Sequence, residues 1–123
     1  MLLFMKPPKV YKRNILSPTA LLLPFEKGHR WINLDEIIRL EGIGNYTSCI
    51  FADGSALLVA LTIRRLQDRI PAGLFVRPHK KHLLNRAYVA GVHPNMGAVS
   101  LTNGDRVAMA RRRAIAFRQD MKA

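Results

Sequence analysis

Residues 46–60 read YTSCIFADGSALLVA, and this stretch decides the fold class. Two runs of β-compatible residues, Tyr46–Phe51 and Ser55–Ala60, flank the dipeptide Asp53-Gly54. Asp-Gly between two such runs is a strong signal for a tight hairpin turn, because glycine takes the positive φ that the turn requires. The stretch therefore predicts an antiparallel β-hairpin.

Short apolar segments separated by turn residues continue on both sides of this hairpin. Such spacing is typical of antiparallel β structure. Asn103-Gly104 predicts a second hairpin turn. The further predicted strands are Ala20–Leu23, Arg30–Asn33, Ile37–Glu41, Leu74–Arg77, His82–Asn85, Tyr88–His93, Ala98–Leu101 and Arg106–Met109.

Two segments have helical rather than strand periodicity. Thr62–Ile70 begins with a capping residue, carries apolar residues at helical spacing and stops before Pro71. Ala110–Met121 lacks Gly and Pro and forms a C-terminal helix or helical turn. The expected fold is mainly β, with short antiparallel strands in small packed sheets and one short internal helix.

The same spacing predicts which side chains form the core. Positions that alternate along strands, or recur at helical intervals, face inward. The predicted core residues are Ile32, Leu34, Ile37, Leu40, Ile50, Leu58, Leu66, Phe75, Leu83, Val89 and Val99.

The chain has 123 residues, a mass of 13.9 kDa and 49 % hydrophobic residues, which fits one packed domain. Residues 1–19 combine lysines with prolines and are expected to be a loosely ordered basic leader, followed by a domain over 20–123. No apolar run reaches the length of a secretory signal or a membrane span, and the single cysteine permits no internal disulfide. A cytoplasmic protein without membrane contact is expected.

Charge is the strongest functional signal in the composition. The formal net charge is +12 and the pI is about 10.9. The excess is concentrated after residue 70, where ten basic residues face two acidic ones. Such a surface attracts phosphates and indicates a polyanionic partner, although a solvated surface that only aids solubility is the plain alternative.

Catalytic and metal-binding patterns are weak. Cys49 lies within a predicted strand and reads as a small core residue rather than a nucleophile. His79 and His82 would point to opposite faces of a strand and have no Cys pair or acidic cluster beside them. No enzyme, metal site or cofactor is predicted.

Residues 75–85 read FVRPHKKHLLN and carry the most specific pattern in the chain. This segment resembles the central motif of the LytTR-type DNA-binding domain, in which Phe-x-Arg-x-His and a downstream Asn occur at these spacings. Further segments agree with the family in order over about residues 20–122: Ile32–Ile37, Leu40-Glu41, Asn45-Tyr46, Asp53-Gly54, Leu61–Ile70, Thr102–Gly104 and Arg111-Arg112.

The resemblance implies a mainly β domain that presents loops, not a recognition helix, to the major groove of DNA. It implies that bases are read by four residues: Asn45, Tyr46, Asn85 and Arg111. It assigns phosphate contacts to Arg77, His79, Lys80, Lys81, Arg86 and Arg112. Arg, Asn and Tyr are chemically suited to reading base edges, whereas phosphate contacts fix orientation.

Some positions depart from the family pattern or have a simpler explanation. Pro78 interrupts a strand and suggests an edge or a bulge, while Lys81 and Ala110 replace frequent serines. Asn85 could be only a turn residue, and Tyr46 only a half-buried strand aromatic. Arg111–Arg113 could be a solvated first helical turn, although positive charge opposes the helix dipole there.

The sequence thus predicts a sequence-specific transcription regulator of bacterial type that binds double-stranded DNA. The family often follows a receiver domain, for which 123 residues leave no room, so the resemblance implies a stand-alone, response regulator-like protein. A homodimer on repeated sites, the transcription machinery and a separate signalling chain are further candidate partners. The alternatives are a basic β domain that binds RNA or the ribosome, and a protein-interaction domain.

Overall fold

A computed structural model describes residues 20–25 and 28–122, and these residues form a mainly β fold. The leader predicted for residues 1–19 lies outside the described residues. The strands are β1 (Ala20–Phe25), β2 (Gly28–Asn33), β3 (Ile37–Ile43), β4 (Tyr46–Phe51), β5 (Ala56–Val59), β6 (Phe75–His79), β7 (His82–Asn85), β8 (Val89–His93), β9 (Ala98–Leu101) and β10 (Arg106–Ala108). The helices are α1 (Ile63–Gln67) and α2 (Arg111–Lys122), and three short 3-10 turns cover Leu34–Glu36, Arg86–Tyr88 and Pro94–Met96.

The strands form three antiparallel sheets. The central sheet has five strands in the order β5-β4-β3-β7-β6. The second sheet has the order β10-β9-β8, and β1 pairs with β2 in a separate hairpin. The predicted class, with short antiparallel strands in small sheets and two helices, is confirmed.

The central sheet is covered on both faces. One face packs against β1, β2 and α1, in a core that includes Leu40 and Leu83. The other face packs against the three-stranded sheet and α2, in a core that includes Leu84 and Phe117. The adjacent residues Leu83 and Leu84 are therefore both fully buried, as expected for a strand with core on either side.

Both predicted hairpin turns are present. Gly54 has a φ of 89° between β4 and β5, and Gly104 has a φ of 95° between β9 and β10. Pro78 lies on the edge strand β6, where the pairing with β7 shifts between Val76 and His79. Proline has no N–H group to donate to a neighbouring strand, so within sheets it is tolerated at edges and at irregularities such as this one.

The predicted core is wrong at one strand face. Leu58 is 38 % exposed, because Cys49 and Leu57 are the members of the β4–β5 pairs that point inward. Ile50 and Val89 are only half-buried. All the other predicted core residues are buried, including Leu34, Ile37, Leu66 and Val99.

Both predicted helices form, with different bounds. Thr62 caps α1, since its Oγ1 accepts a hydrogen bond from Arg65 N at 3.3 Å. The helix ends at Gln67, and residues 68–70 form a turn before Pro71, which disfavours helical geometry in the residue before it. Within the described part of the chain, no helix is both long and apolar enough to cross a membrane.

Candidate nucleic-acid interface

The connections between elements lie at two opposite ends of the central sheet. One end, the basic end, comprises the turn at Gly44-Asn45, the turn at Lys80-Lys81, the 3-10 turn Pro94–Met96 and the starts of α1 and α2. The opposite end comprises the turns at Asp53-Gly54 and Asn103-Gly104 and the 3-10 turns Leu34–Glu36 and Arg86–Tyr88.

Backbone hydrogen bonds fix the elements of the basic end beside one another. Gly42 N donates to Lys81 O at 2.8 Å, which joins the β3–β4 turn to the β6–β7 turn. Ala110 N donates to Pro78 O at 2.8 Å and places the start of α2 beside β6. Met109 N donates to Gly97 O at 2.8 Å. The β3–β4 turn, the β6–β7 turn, the start of α2 and the Pro94–Met96 turn therefore stand in a row.

The β3–β4 turn presents two of the predicted base-reading residues. Asn45 is exposed in the turn, and Tyr46, the first residue of β4, is 49 % exposed. Ile43, which pairs with Tyr46 across the hairpin, is exposed as well. The turn therefore offers an amide, a phenol and apolar surface to a partner that approaches this end.

The β6–β7 turn carries the predicted phosphate contacts Lys80 and Lys81, and both side chains are exposed. His79 precedes them, and its Nδ1 accepts a hydrogen bond from Lys81 N at 3.1 Å. A neutral ring bonded in this way carries its proton on Nε2. Partial burial and the charges of Lys80, Lys81 and Arg113 lower the pKa of His79. The ring is therefore mostly neutral at pH 7 in the free protein.

Arg77 holds this turn in place. Its guanidinium donates to Gln67 Oε1 at 2.9 Å and to Lys80 O at 2.7 Å. Burial, Arg113 and Arg64 all lower the pKa of Arg77. The side chain thus links α1 to the β6–β7 turn, and these protein contacts make Arg77 a positioning residue.

The two helix starts add further positive charge. Arg111 and Arg112 are exposed on the first turn of α2, and Arg113 is half-buried behind them. Arg64, near the start of α1, is exposed and lies close enough to affect Arg77. Gly42, Gly44, Thr62 and Ile63 join Arg64, Arg77, Lys80 and Lys81 around a groove of about 430 Å³. Arg64 is not among the predicted site residues, because the contact between α1 and the β6–β7 turn is not visible in a linear sequence pattern.

Carboxylates are concentrated away from the basic end. Glu41 is the exception nearest to it, and Arg39 binds Glu41 Oε1 at 2.6 Å. The other described carboxylates lie at the opposite end or in the later parts of the helices: Asp35, Glu36, Asp53, Asp68, Asp105 and Asp120. Like charges are thereby gathered over one surface that has little internal neutralisation.

Asn85, predicted to read a base, lies at the opposite end and is only 7 % exposed. Its Nδ2 donates to Leu34 O at 3.2 Å and to Ile37 O at 3.0 Å. Its Oδ1 accepts from Ala87 N at 3.0 Å and caps the Arg86–Tyr88 turn. Both the oxygen and the nitrogen of the amide therefore form hydrogen bonds within the protein, and they link the Leu34–Glu36 and Arg86–Tyr88 turns. These contacts agree with the interpretation of Asn85 as a turn residue.

Arg86 is also remote from the basic end. Its guanidinium donates to Met121 O at 3.0 Å, near the C-terminus of α2. A cation beside the last carbonyls of a helix stabilises that helix end. The structure thus assigns Arg86 to fixing α2 against the sheet, and separates it from the other predicted phosphate contacts.

The cysteine and histidines do not assemble a catalytic or metal centre among the residues that the structure describes. Cys49 is buried, and its burial raises the pKa of its thiol to about 12. A thiol in that state is a poor nucleophile. No group of three or more His, Cys, Asp or Glu side chains in residues 20–25 and 28–122 is arranged to hold a metal ion.

Comparison with known proteins agrees with this architecture. The profile of the LytTr DNA-binding domain family matches residues 27–122. The chain therefore belongs to the LytTr DNA-binding domain family.

The chain is similar to one curated protein in sequence and to one solved structure in fold. The sensory transduction protein LytT of Enterococcus faecalis (strain ATCC 700802 / V583) is 26 % identical over 109 residues, which cover 85 % of this chain and 45 % of that protein. The chain thus spans less than half the length of this relative. A LytTr DNA-binding domain from Bacillus cereus has the same fold, with a TM-score of 0.72 and 18 % identity over 85 % of this chain and 98 % of that one.

Proposed function

We propose that the chain is a transcription regulator that binds a specific duplex DNA sequence through the loops of the basic end. The observation that carries this proposal is the row of turns and helix starts that hydrogen bonds hold side by side. The row carries exposed lysines and arginines, while the carboxylates lie mainly elsewhere. Family membership supports DNA as the polyanion that this surface binds.

The residues of the basic end divide by chemistry into two groups. Asn45, Tyr46 and Arg111 are exposed and carry groups that can contact base edges in the major groove. Lys80, Lys81 and Arg112 supply exposed charge for phosphates, with neutral His79 as a further hydrogen-bond donor. Arg64 adds a cation that extends the phosphate-binding surface onto α1. We leave Asn85 and Arg86 out of the proposed interface because of their positions and protein contacts.

Selection of bound sequences from a random duplex pool tests sequence-specific binding. Enrichment of one motif is the expected result, because base-reading groups and phosphate-binding groups share one surface. Recovery of unrelated sequences with equal affinity would reduce the function to electrostatic binding. Competition with single-stranded DNA and structured RNA tests the rival function, and a preference for RNA would replace DNA as the partner.

Salt titration tests the phosphate contacts separately. If five or six phosphates are neutralised, log K falls with log salt at a slope of about −5. An affinity that is unchanged across moderate salt would contradict the electrostatic surface. Binding of two copies to repeated sites stays a prediction, and the stoichiometry on the selected duplex measures it.

A further inference from the structure

The Pro94–Met96 turn stands at one end of the row of the basic end and has no role in the interface described so far. Met96 is 62 % exposed, a high value for a large apolar side chain. Pro94 and Asn95 are exposed beside it. Single exposed apolar residues are common on protein surfaces, so the position of Met96 beside the exposed arginines of α2, not its exposure alone, is what points to a role.

The turn is held rigidly next to α2. Gly97 ends it with a φ of 59°, and Gly97 N donates to Pro94 O at 3.2 Å. Met109 N donates to Gly97 O at 2.8 Å, and Met109 is two residues before Arg111. Backbone hydrogen bonds thus position Met96 beside the exposed arginines of α2.

We propose that Met96 is a specificity-determining residue that contacts the C5-methyl group of a thymine in the major groove. This inference rests on the proposed function. The chemistry fits because thymine is the base that presents a methyl group in that groove, and apolar side chains recognise it. A flexible thioether adapts to such a contact better than a branched side chain does. The DNA contacts proposed for Arg111 and Arg112 would bring the duplex against the turn.

The test combines a protein change with a DNA change. Met96→Ala and Met96→Gln are measured on the selected duplex and on duplexes in which single thymines are replaced by deoxyuridine, which lacks only the methyl group. We expect Met96→Ala to weaken binding to the selected duplex about fourfold, as for loss of one buried methyl contact. Its affinity for random duplex stays unchanged. Deoxyuridine at one position weakens wild-type binding by a similar factor and has no further effect on Met96→Ala.

A matched control separates this contact from a general loss of apolar surface. Leu74 is 39 % exposed and lies near the opposite end of the sheet, so Leu74→Ala is expected to leave DNA affinity unchanged. Thermal unfolding of all variants shows whether each is folded, and exposed Met96 is expected to tolerate both changes.

The outcomes distinguish this inference from the proposed function. If wild type enriches a motif but Met96→Ala binds it normally, the inference fails and the proposed function stands. The same holds if affinity falls but no deoxyuridine position couples to Met96, or if random duplex is affected equally. If wild type shows no sequence preference, both proposals are overturned.

Discussion

The two ends of the central sheet are built from similar tight turns and differ in what the side chains of those turns bind. At the opposite end, Asp53 Oδ1 accepts from Ser55 N at 2.9 Å. Asp105 accepts from Asn103 at 3.0 Å and from Arg39 at 3.0 Å. At the basic end, Lys80 and Lys81 are exposed. The polar side chains of these turns thus form hydrogen bonds within the protein at the opposite end, whereas the lysines of the basic end are exposed to solvent.

Two asparagines show that position, not residue type, decides the role. Asn45 and Asn85 have the same side chain and lie at opposite ends of the sheet. Asn45 is exposed in a turn of the basic end, whereas the amide of Asn85 is buried among Leu34 O, Ile37 O and Ala87 N. One is available to a partner, and the other stabilises the fold.

The largest expected effect is on stability, at the opposite end. Asn85→Ala leaves buried carbonyls and an N–H group without partners, and each such group costs about 1–3 kcal/mol. We expect the free energy of unfolding to fall by about 3 kcal/mol in chemical denaturation. Asn45→Ala is the matched control and should change it by less than about 0.5 kcal/mol. Equal stabilities for the two variants would contradict the claim that Asn85 stabilises the fold and Asn45 does not.

The next effect concerns specific DNA affinity, at the basic end. Arg111→Ala should weaken binding to the selected duplex by about 1–3 kcal/mol and scarcely change binding to random duplex, the signature of a lost base contact. Its melting temperature should stay close to that of wild type, since Arg111 is exposed. Equal losses on both duplexes would reassign Arg111 to the phosphate backbone.

A third effect compares two pairs of charges. Replacing Lys80 and Lys81 together by Ala should weaken all duplex sequences and make the salt slope shallower by about 1.8, because each phosphate contact contributes roughly 0.9. Replacing Arg69 and Arg106, which are exposed away from the basic end, removes the same formal charge. That control should leave the slope nearly unchanged, and an equal change in both pairs would mean that net charge alone governs binding.

The smallest effect is on pH dependence. Burial, and then the charges of Lys80, Lys81 and Arg113, lower the pKa of His79. Phosphates bound near the two lysines would offset the charge contribution, so DNA binding should take up protons as the pH falls below about 6.5. Affinity should then rise by less than tenfold per pH unit, the limit for one proton. His79→Gln should flatten the profile measured by fluorescence anisotropy, and an unaltered profile would exclude His79 as its source.

The free protein should respond to pH in the opposite direction. The pKa of His79 is lower in the folded chain than its ordinary value of 6.5, so the unfolded chain binds more protons in this window. The stability that neutral His79 contributes is present above pH 6.5 and is lost as the pH falls to the lowered pKa. Denaturation at several pH values, compared with His79→Gln, measures this contribution.

The sequence predicted the hairpins, the α1 cap and the edge position of Pro78 because each depends on local backbone chemistry. It failed at Leu58 because both faces of β5 carry apolar residues, and alternation cannot choose between Leu57 and Leu58. The hydrogen bonds of Asn85 could not be predicted either, because they depend on long-range contacts. The backbone groups that its amide binds include Leu34 O and Ile37 O, about fifty residues earlier in the chain.

The basic end could not be predicted as one surface without knowledge of the strand order. Lys80, Arg64 and Arg111 are far apart in sequence. They lie at the same end of the sheet because β6 ends there and α1 and α2 begin there. The Pro94–Met96 turn could not be predicted as part of this surface, because its residues carry no charge. The sequence shows only a methionine between the turn-forming residues Pro94-Asn95 and Gly97, and its exposure is visible only in the structure.

Amide NMR during titration with the selected duplex tests the central claim most directly, that DNA binds the basic end. Glycines serve as reporters: Gly44 and Gly97 lie at the basic end, whereas Gly54 and Gly104 lie in turns of the opposite end. We expect large chemical-shift changes at Gly44 and Gly97 and almost none at Gly54 and Gly104. Changes centred on Gly54 and Gly104, with Gly44 and Gly97 unaffected, would contradict it.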